Sequence, residues 1–167
     1  MAEALTPQQL MREALQLARE AAEQDEVPVG AIVARHGEIV GRGRNRREGV
    51  RNALAHAEIE AIDDACRQLD SWRLFDCELY VTLEPCPMCA GAIINARIER
   101  VVYGAADSKA GSCGSMVDLF ALPYNHRPLC EGGLLGEECA ALLSDFFRKL
   151  RETHRAQKKE KEGLPLL

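Results

Sequence analysis

The chain has 167 residues, 47% hydrophobic and 28% charged, with a formal net charge of −5. That is ordinary globular composition, enough for one domain with a substantial core. The acidic sum argues against indiscriminate nucleic-acid binding, and no apolar stretch approaches the roughly 18 residues of a membrane span.

Residues 1–20 mix acidic and basic side chains without a signal-peptide core, so a cytoplasmic chain is the expectation. Cys66, Cys77, Cys86, Cys89, Cys113, Cys130 and Cys139 then read as reduced thiols. Thr6-Pro7-Gln8-Gln9 combines a Thr cap, a Pro in the first turn and a Gln three residues after the cap. Leu10, Ala14, Leu17, Ala18 and Ala21 follow at helical spacing, which predicts a first helix to about Gln24. Val27 to Ala34 and Glu38 to Gly43 are β-rich runs joined by His36-Gly37, a hairpin pattern. Arg42, Arg44, Arg46, Arg47 and Arg51 then crowd around Asn45.

From Ala55 to about Leu69 the residues Ile59, Ile62, Cys66 and Leu69 return to helical spacing, placing His56 and Glu58 in a first turn. Two residues is about 200° of helical rotation, so a metal shared by this segment must lie over the helix end. Leu79 to Leu83 reads as a buried strand and Arg100 to Tyr103 as the next. Between them Pro87 suits a first helical position, making Cys86 the cap and placing Cys89 in the first turn. Such a strand-helix-strand unit is expected to be parallel with a right-handed crossover. Gly104 to Gly114 is a loop rich in Gly, Ala and Ser carrying Asp107 and Lys109. A last helix is predicted from Gly136 to about Arg151, with Leu143, Phe146, Phe147 and Leu150 as a core-facing stripe. Arg148, Lys149, Arg151, Arg155, Lys158, Lys159 and Lys161 crowd the carboxy terminus, and residues 157–162 look frayed by composition. The division expected is one domain over residues 1–155 and a charged tail over 156–167.

The chemistry concentrates in His56-Ala57-Glu58 and Cys86-Pro87-Met88-Cys89. These offer three zinc-ligand side chains and one carboxylate left over, and a tetrahedral zinc with three protein ligands keeps one position for water. Bound zinc brings the pKa of that water to about 7, and a neighbouring carboxylate can move its protons. The order His-x-Glu…Pro-Cys-x-x-Cys is that of zinc nucleobase deaminases, in which the Glu is not a ligand. A Cys-x-x-Cys pair alone is as often half of a structural zinc site or a redox motif. A structural site needs a fourth ligand, for which Cys113 and Cys130 form no second tight pair, and a redox motif leaves His56 and Glu58 unused.

The chain resembles the bacterial tRNA-specific adenosine deaminases, within the cytidine deaminase-like superfamily. The likeness runs through Val27-Pro28-Val29-Gly30, His56-Ala57-Glu58-Ile59, Leu79-Tyr80-Val81-Thr82-Leu83-Glu84-Pro85-Cys86 and Met88-Cys89-Ala90-Gly91-Ala92. It continues through Arg100-Val101-Val102-Tyr103-Gly104-Ala105 and Asn125-His126-Arg127, and ends in Glu138-Cys139-Ala140-Ala141-Leu142-Leu143-Ser144-Asp145-Phe146-Phe147. The chain departs from the family pattern at Asn52-Ala53-Leu54-Ala55 and at Asn95.

The resemblance implies a three-layer α/β/α fold with a central mixed five-stranded sheet. It implies one Zn2+ per subunit on His56, Cys86 and Cys89, with Glu58 as proton shuttle. Asn45 would hydrogen-bond the target nucleoside, Val29 would form a pocket wall, and backbone groups of Ala57 and Glu84 would complete base recognition. Asp107 would face the flanking nucleotides, where contact with a 2′-hydroxyl favours RNA over DNA. The implied reaction is hydrolytic deamination of the wobble adenosine of a tRNA anticodon to inosine. The partners implied are the anticodon arm of an arginine tRNA and a second copy of the chain in a homodimer. Two competing readings use the same residues: a deaminase of free guanine, cytosine or a nucleoside, and a non-catalytic zinc-dependent RNA-binding module. The second has no need of Glu58.

Overall fold

In the computed structural model, which describes residues 2–163, the first helix starts where its cap demands. Thr6 Oγ1 accepts the Gln9 N–H and Gln9 Oε1 accepts the Thr6 N–H, closing a capping box at the head of α1, Pro7–Glu23. Its buried face is Leu10, Met11, Ala14, Leu15, Ala18 and Ala21.

Strands β1, Gly30–Arg35, and β2, Glu38–Arg44, form an antiparallel hairpin. The turn between them, His36-Gly37, holds both residues at positive φ (52° and 77°), as the favoured two-residue hairpin turn requires. β1 begins at Gly30, not at Val27: Val27 O accepts the Val29 N–H in a tight local turn, and Pro28 has no N–H for a ladder. Then come α2, Ala57–Leu69, β3, Cys77–Leu83, α3, Pro87–Ala96, and β4, Arg100–Ala105. β3 pairs antiparallel with β1 and parallel with β4, so the sheet is mixed and β3-α3-β4 is the parallel unit the sequence predicts.

A fifth strand, β5, Leu129–Gly132, lies parallel against β4 at the far edge, giving the order β2-β1-β3-β4-β5 among the described residues. No periodic pattern marks β5, because four residues on an exposed edge have no buried face to advertise. The two faces of the sheet follow strand alternation. Ala31, Val33, Leu79, Val81 and Val101 point to one side, where Ala57, Ala61 and Ala65 of α2 and Ala90 and Ile93 of α3 cover them. Ile32, Ala34, Tyr80 and Val102 point to the other, against Leu10, Met11, Ala14 and Leu15 of α1 and Cys139 of the last helix. The result is three layers with helices on both faces of the sheet.

That last helix, α4, spans Gly136–Glu162, beyond the predicted end near Arg151. Residues 157–162, expected to be frayed, continue it: Lys and Glu are good helix formers, and Lys158 pairs with Glu162 one turn on, at 3.7 Å. Residues 164–167 of the expected tail lie outside the described residues. The stripe expected to be core is only half covered. Cys139 is buried and Leu143 and Phe146 are half-buried, but Phe147 and Leu150 are 40% and 39% exposed, because the helix runs past the elements that cover its start.

α2 lies almost backbone to backbone on β2. A Cβ at Gly41 or Gly43 would strike the carbonyl of Ala61 or of Ala57. Gly43→Ala is therefore expected to lose about 1–3 kcal/mol of stability through forced backbone shifts. Urea denaturation beside the parent chain checks this.

Candidate metal centre and its pocket

Two helix amino termini meet on the same face of the sheet. His56 is the N-cap of α2 and not a first-turn residue: its backbone is extended (φ −81°, ψ 151°), and only from Ala57 onward does the chain turn helical. That extended residue, more than rotation about a helix, is what separates His56 from Glu58. Cys86 is the N-cap of α3 with Pro87 next, as the spacing predicts, and Cys89 lies in the first turn. Neither cap side chain is used for capping, so both are free to face a common point.

His56 Nδ1 lies 3.7 Å from Cys86 Sγ and 3.6 Å from Cys89 Sγ, and all three donor atoms fall within 4.8 Å of one another. A tetrahedral ion about 2.0 Å from nitrogen and about 2.3 Å from sulfur separates such donors by about 3.6 Å. The three side chains thus stand at the corners of a metal site before any ion is considered. A hydrogen bond with the Cys89 thiol holds Cys86 down at about 4, helped by His56 and opposed by burial. Cys89 is raised by the same hydrogen bond and by burial, and His56 is raised by its bond to Cys86. One thiolate is ready beside two groups that surrender a proton on metal binding.

Glu58 is 4% exposed, and burial pushes its carboxyl up to about 7. Cys89 Sγ lies 3.4 Å from its Oε2, so the carboxylate touches the donor cluster without belonging to it.

The pocket above the cluster is lined by His56, Ala57, Glu58, Glu84, Cys86, Val29, Asn45 and Asp107, together with Val27, Arg47, Leu83 and Ala110. The structure thereby gathers the candidate residues of the sequence into one place, with Cys89 fully buried behind them. Asn45 is anchored by its Nδ2 donating to Val27 O (3.1 Å) and its Oδ1 accepting the Arg47 N–H (3.2 Å), which leaves one further donor and acceptor direction on the amide. Asp107 Oδ1 accepts the N–H groups of Lys109 and Ala110, holding its loop in a turn. Of the arginine cluster, Arg46 pairs with Glu60 at 2.7 Å and Arg44 with Glu20 at 3.8 Å, while Arg47 is the one that lines the pocket.

Beside the pocket, sequence reasoning misses Glu26 altogether and the side chain of Glu84, of which only backbone groups are expected to serve the site. Glu26, 2% exposed, accepts the N–H groups of Glu48 and Gly49 and so braces the arginine-rich loop. Glu84, also 2% exposed, accepts from the loop that carries Asp107. Burial pushes Glu84 up, but hydrogen bonds from Ser115 and from the N–H groups of Asp107, Ser115 and Cys113 outweigh it and hold the carboxyl below its ordinary value. The one signal for either is an acidic residue beside an otherwise apolar strand, as in Glu26-Val27-Pro28-Val29.

Residues 6–151 match the family model of the MafB19-like deaminases. The chain is 47% identical to a tRNA-specific adenosine deaminase of Bacillus subtilis, over 89% of this chain and 93% of that protein. It is 50% identical over 84% of its length to a tRNA(Ile)-lysidine synthase of Deinococcus radiodurans, but spans only 24% of that longer protein. A solved structure from a study of A-to-I editing by tRNA:A34 deaminases superposes with a TM-score of 0.78 at 46% identity, covering 80% of this chain and 98% of that one. The layered architecture is that of the cytidine deaminase-like proteins.

Loss of one of three protein ligands should exceed the 10–100-fold cost of losing an outer-shell partner. Cys86→Ala is therefore expected to weaken metal affinity by more than about 100-fold, with Glu58→Gln retaining stoichiometric metal. Metal analysis of the dialysed proteins checks both.

Proposed function

The chain belongs to the tRNA-specific adenosine deaminases, and from that premise we propose that it hydrolyses the 6-amino group of the wobble adenosine in a tRNA anticodon, releasing inosine and ammonia. The observation that carries this reading is the juxtaposition of a three-donor metal site with a buried carboxylate that is not a ligand. The ion held by His56, Cys86 and Cys89 is zinc, one per subunit, whose preferred donors and distances the cluster fits. When bound, zinc acts as a Lewis acid that makes a hydroxide nucleophile available near pH 7.

The other roles fall to the chain itself. Glu58, buried and near-neutral in its protonation preference, takes a proton of the attacking water and gives it to N1 of the purine, then carries the proton of the new C6 hydroxyl to the departing amine, which leaves as ammonia. Ala57 is the first helical residue of α2, so its N–H has no intrahelical partner and can donate to the base. The N–H of Glu84 is already given to Ala105 O at 2.8 Å, which leaves its carbonyl as the group that can accept from the base. Val29 packs against the ring, and the free directions of the Asn45 amide serve the ribose side. The second carboxylate oxygen of Asp107 faces the nucleotides flanking the target, where a 2′-hydroxyl contact selects RNA. An anticodon loop is single-stranded, so unstacking the target base costs little.

The same reading makes the protein a cytoplasmic homodimer acting on the anticodon arm of an arginine tRNA. Exposed apolar side chains on the loops either side of the site, Leu54 and Met116 among them, support a partner surface there. No helix among the described residues is long and apolar enough to cross a membrane.

Inosine is expected in a synthetic anticodon stem-loop with a wobble adenosine, and no ammonia is expected from free adenosine, guanine or cytidine in the same assay. Deamination confined to a free base or nucleoside would overturn the tRNA substrate, and zinc-loaded protein inert on all four would favour a binding module. Glu58→Ala is expected to keep zinc while turnover falls at least about 100-fold. Full activity in that variant would remove Glu58 from the mechanism.

A further inference from the structure

The side chain of Glu84 is buried, accepts hydrogen bonds at both oxygens, and has no part in the proton transfers above. Glu84 follows directly on β3, and its carboxylate projects into the loop between β4 and the short 3-10 turn Leu119–Ala121. Oε1 accepts the Asp107 N–H at 3.1 Å and the Ser115 hydroxyl. Oε2 accepts the N–H groups of Cys113 and Ser115, each at 3.1 Å. The donors come from both ends of the loop, so one side chain ties its beginning to its end. The middle of the loop presses on the same group: a Cβ at Gly111 would strike the Glu84 carboxyl.

Other bonds shape the loop locally, Gly111 N–H to Asp107 O and Met116 N–H to Gly111 O, and Ser112 N–H reaches Pro85 O, but Glu84 is the side chain that joins its two ends. The loop sequence, Asp107-Ser108-Lys109-Ala110-Gly111-Ser112-Cys113-Gly114-Ser115, has few apolar side chains, and fixing each residue's backbone costs about 1–2 kcal/mol in entropy. Asp107 and Ala110 of the loop nevertheless form part of the pocket wall. Through its N–H on Ala105 O, Glu84 also pins its own backbone, and hence its carbonyl, to the end of β4.

We propose that the Glu84 side chain is a positioning residue for substrate, a buried acceptor around which the loop from Asp107 to Ser115 is wrapped so that the flanking-nucleotide wall is held in register with the base-reading wall. The function then asks two separate things of one residue: its carbonyl faces the base and its carboxylate holds the loop. Replacing the carboxylate by an amide puts an NH2 group against N–H donors and leaves at least one of them without an acceptor.

Peptide-resolved hydrogen–deuterium exchange on zinc-loaded Glu84→Gln, with stem-loop kinetics alongside, tests this. One hydrogen bond to a charged group is worth about a factor of ten or more. Exchange of the Asp107, Cys113 and Ser115 amides is expected to rise about tenfold or more, with β3, β4 and zinc content as in the parent chain. KM for the stem-loop is expected to rise by a similar factor, with kcat changed less than about threefold. Unchanged loop exchange would overturn the proposal, as would exchange raised equally throughout the sheet, which is the mark of a merely structural role. A loosened loop with unaltered KM would overturn the substrate-positioning part. The kinetic arm rests on the tRNA reading and the exchange arm does not, so a parent chain inert on the stem-loop would count against that reading alone. Should Glu84→Gln fail to fold, Ser115→Ala, which removes one donor and leaves the carboxylate in place, must loosen the same loop by a smaller factor. No change there would also overturn the proposal.

Discussion

Everything about the site depends on how closely α2 can approach β2. With no Cβ at Gly41 and Gly43, the backbone of the helix rests on the backbone of the strand, and the amino end of α2 is fixed relative to the sheet. His56 is carried on that end as an extended cap, and Glu58 follows inside the first turn. α3 is placed by a different device, a parallel crossover between β3 and β4 with Pro87 enforcing the turn into helix. The three-donor cluster of His56, Cys86 and Cys89 is where these two independently fixed helix starts converge. Helix amino termini favour anionic ligands, which suits a site that needs thiolates.

Three buried glutamates around this pocket have different fates, and their partners explain why. Glu26 and Glu84 each accept several N–H groups, and for Glu84 these outweigh burial and keep the carboxyl ionised. Glu58 is bonded by its own backbone N–H and by the Cys89 thiol, which do not offset burial, and its carboxyl is carried to about 7. A carboxyl that is nearly indifferent to its proton at neutral pH can both take and give one. Glu26 and Glu84 brace the two loops that rim the pocket, and Glu58, with fewer N–H donors around it, is the carboxyl whose proton is most easily exchanged.

Much of this was legible in the sequence because it rests on local rules. The capping box at Thr6, the His36-Gly37 turn, the Pro87 helix start and the Cys-x-x-Cys spacing each report on a few adjacent residues, and each is found as read. What was not legible depends on distant partners. β5 has no periodic signature and exists because β4 offers it an edge. The outer stripe of α4, with Phe147 and Leu150, has the spacing of a core helix, but whether anything covers it is decided by where the sheet ends. The side-chain roles of Glu26 and Glu84 are invisible for the same reason: their donors lie more than twenty residues away, on loops whose path no pattern predicts. His56 as an extended cap, where helical spacing suggests a first turn, shows that boundary residues carry the geometry a site needs.

The most direct measurement is zinc-edge X-ray absorption on the zinc-loaded protein. Two sulfur atoms at about 2.3 Å and two lighter atoms at about 2.0 Å, one of them displaceable by a small ligand, are predicted for an open catalytic site. Four protein ligands, or a third sulfur drawn from Cys113 or Cys130, would make the site a closed structural one and contradict the deaminase chemistry.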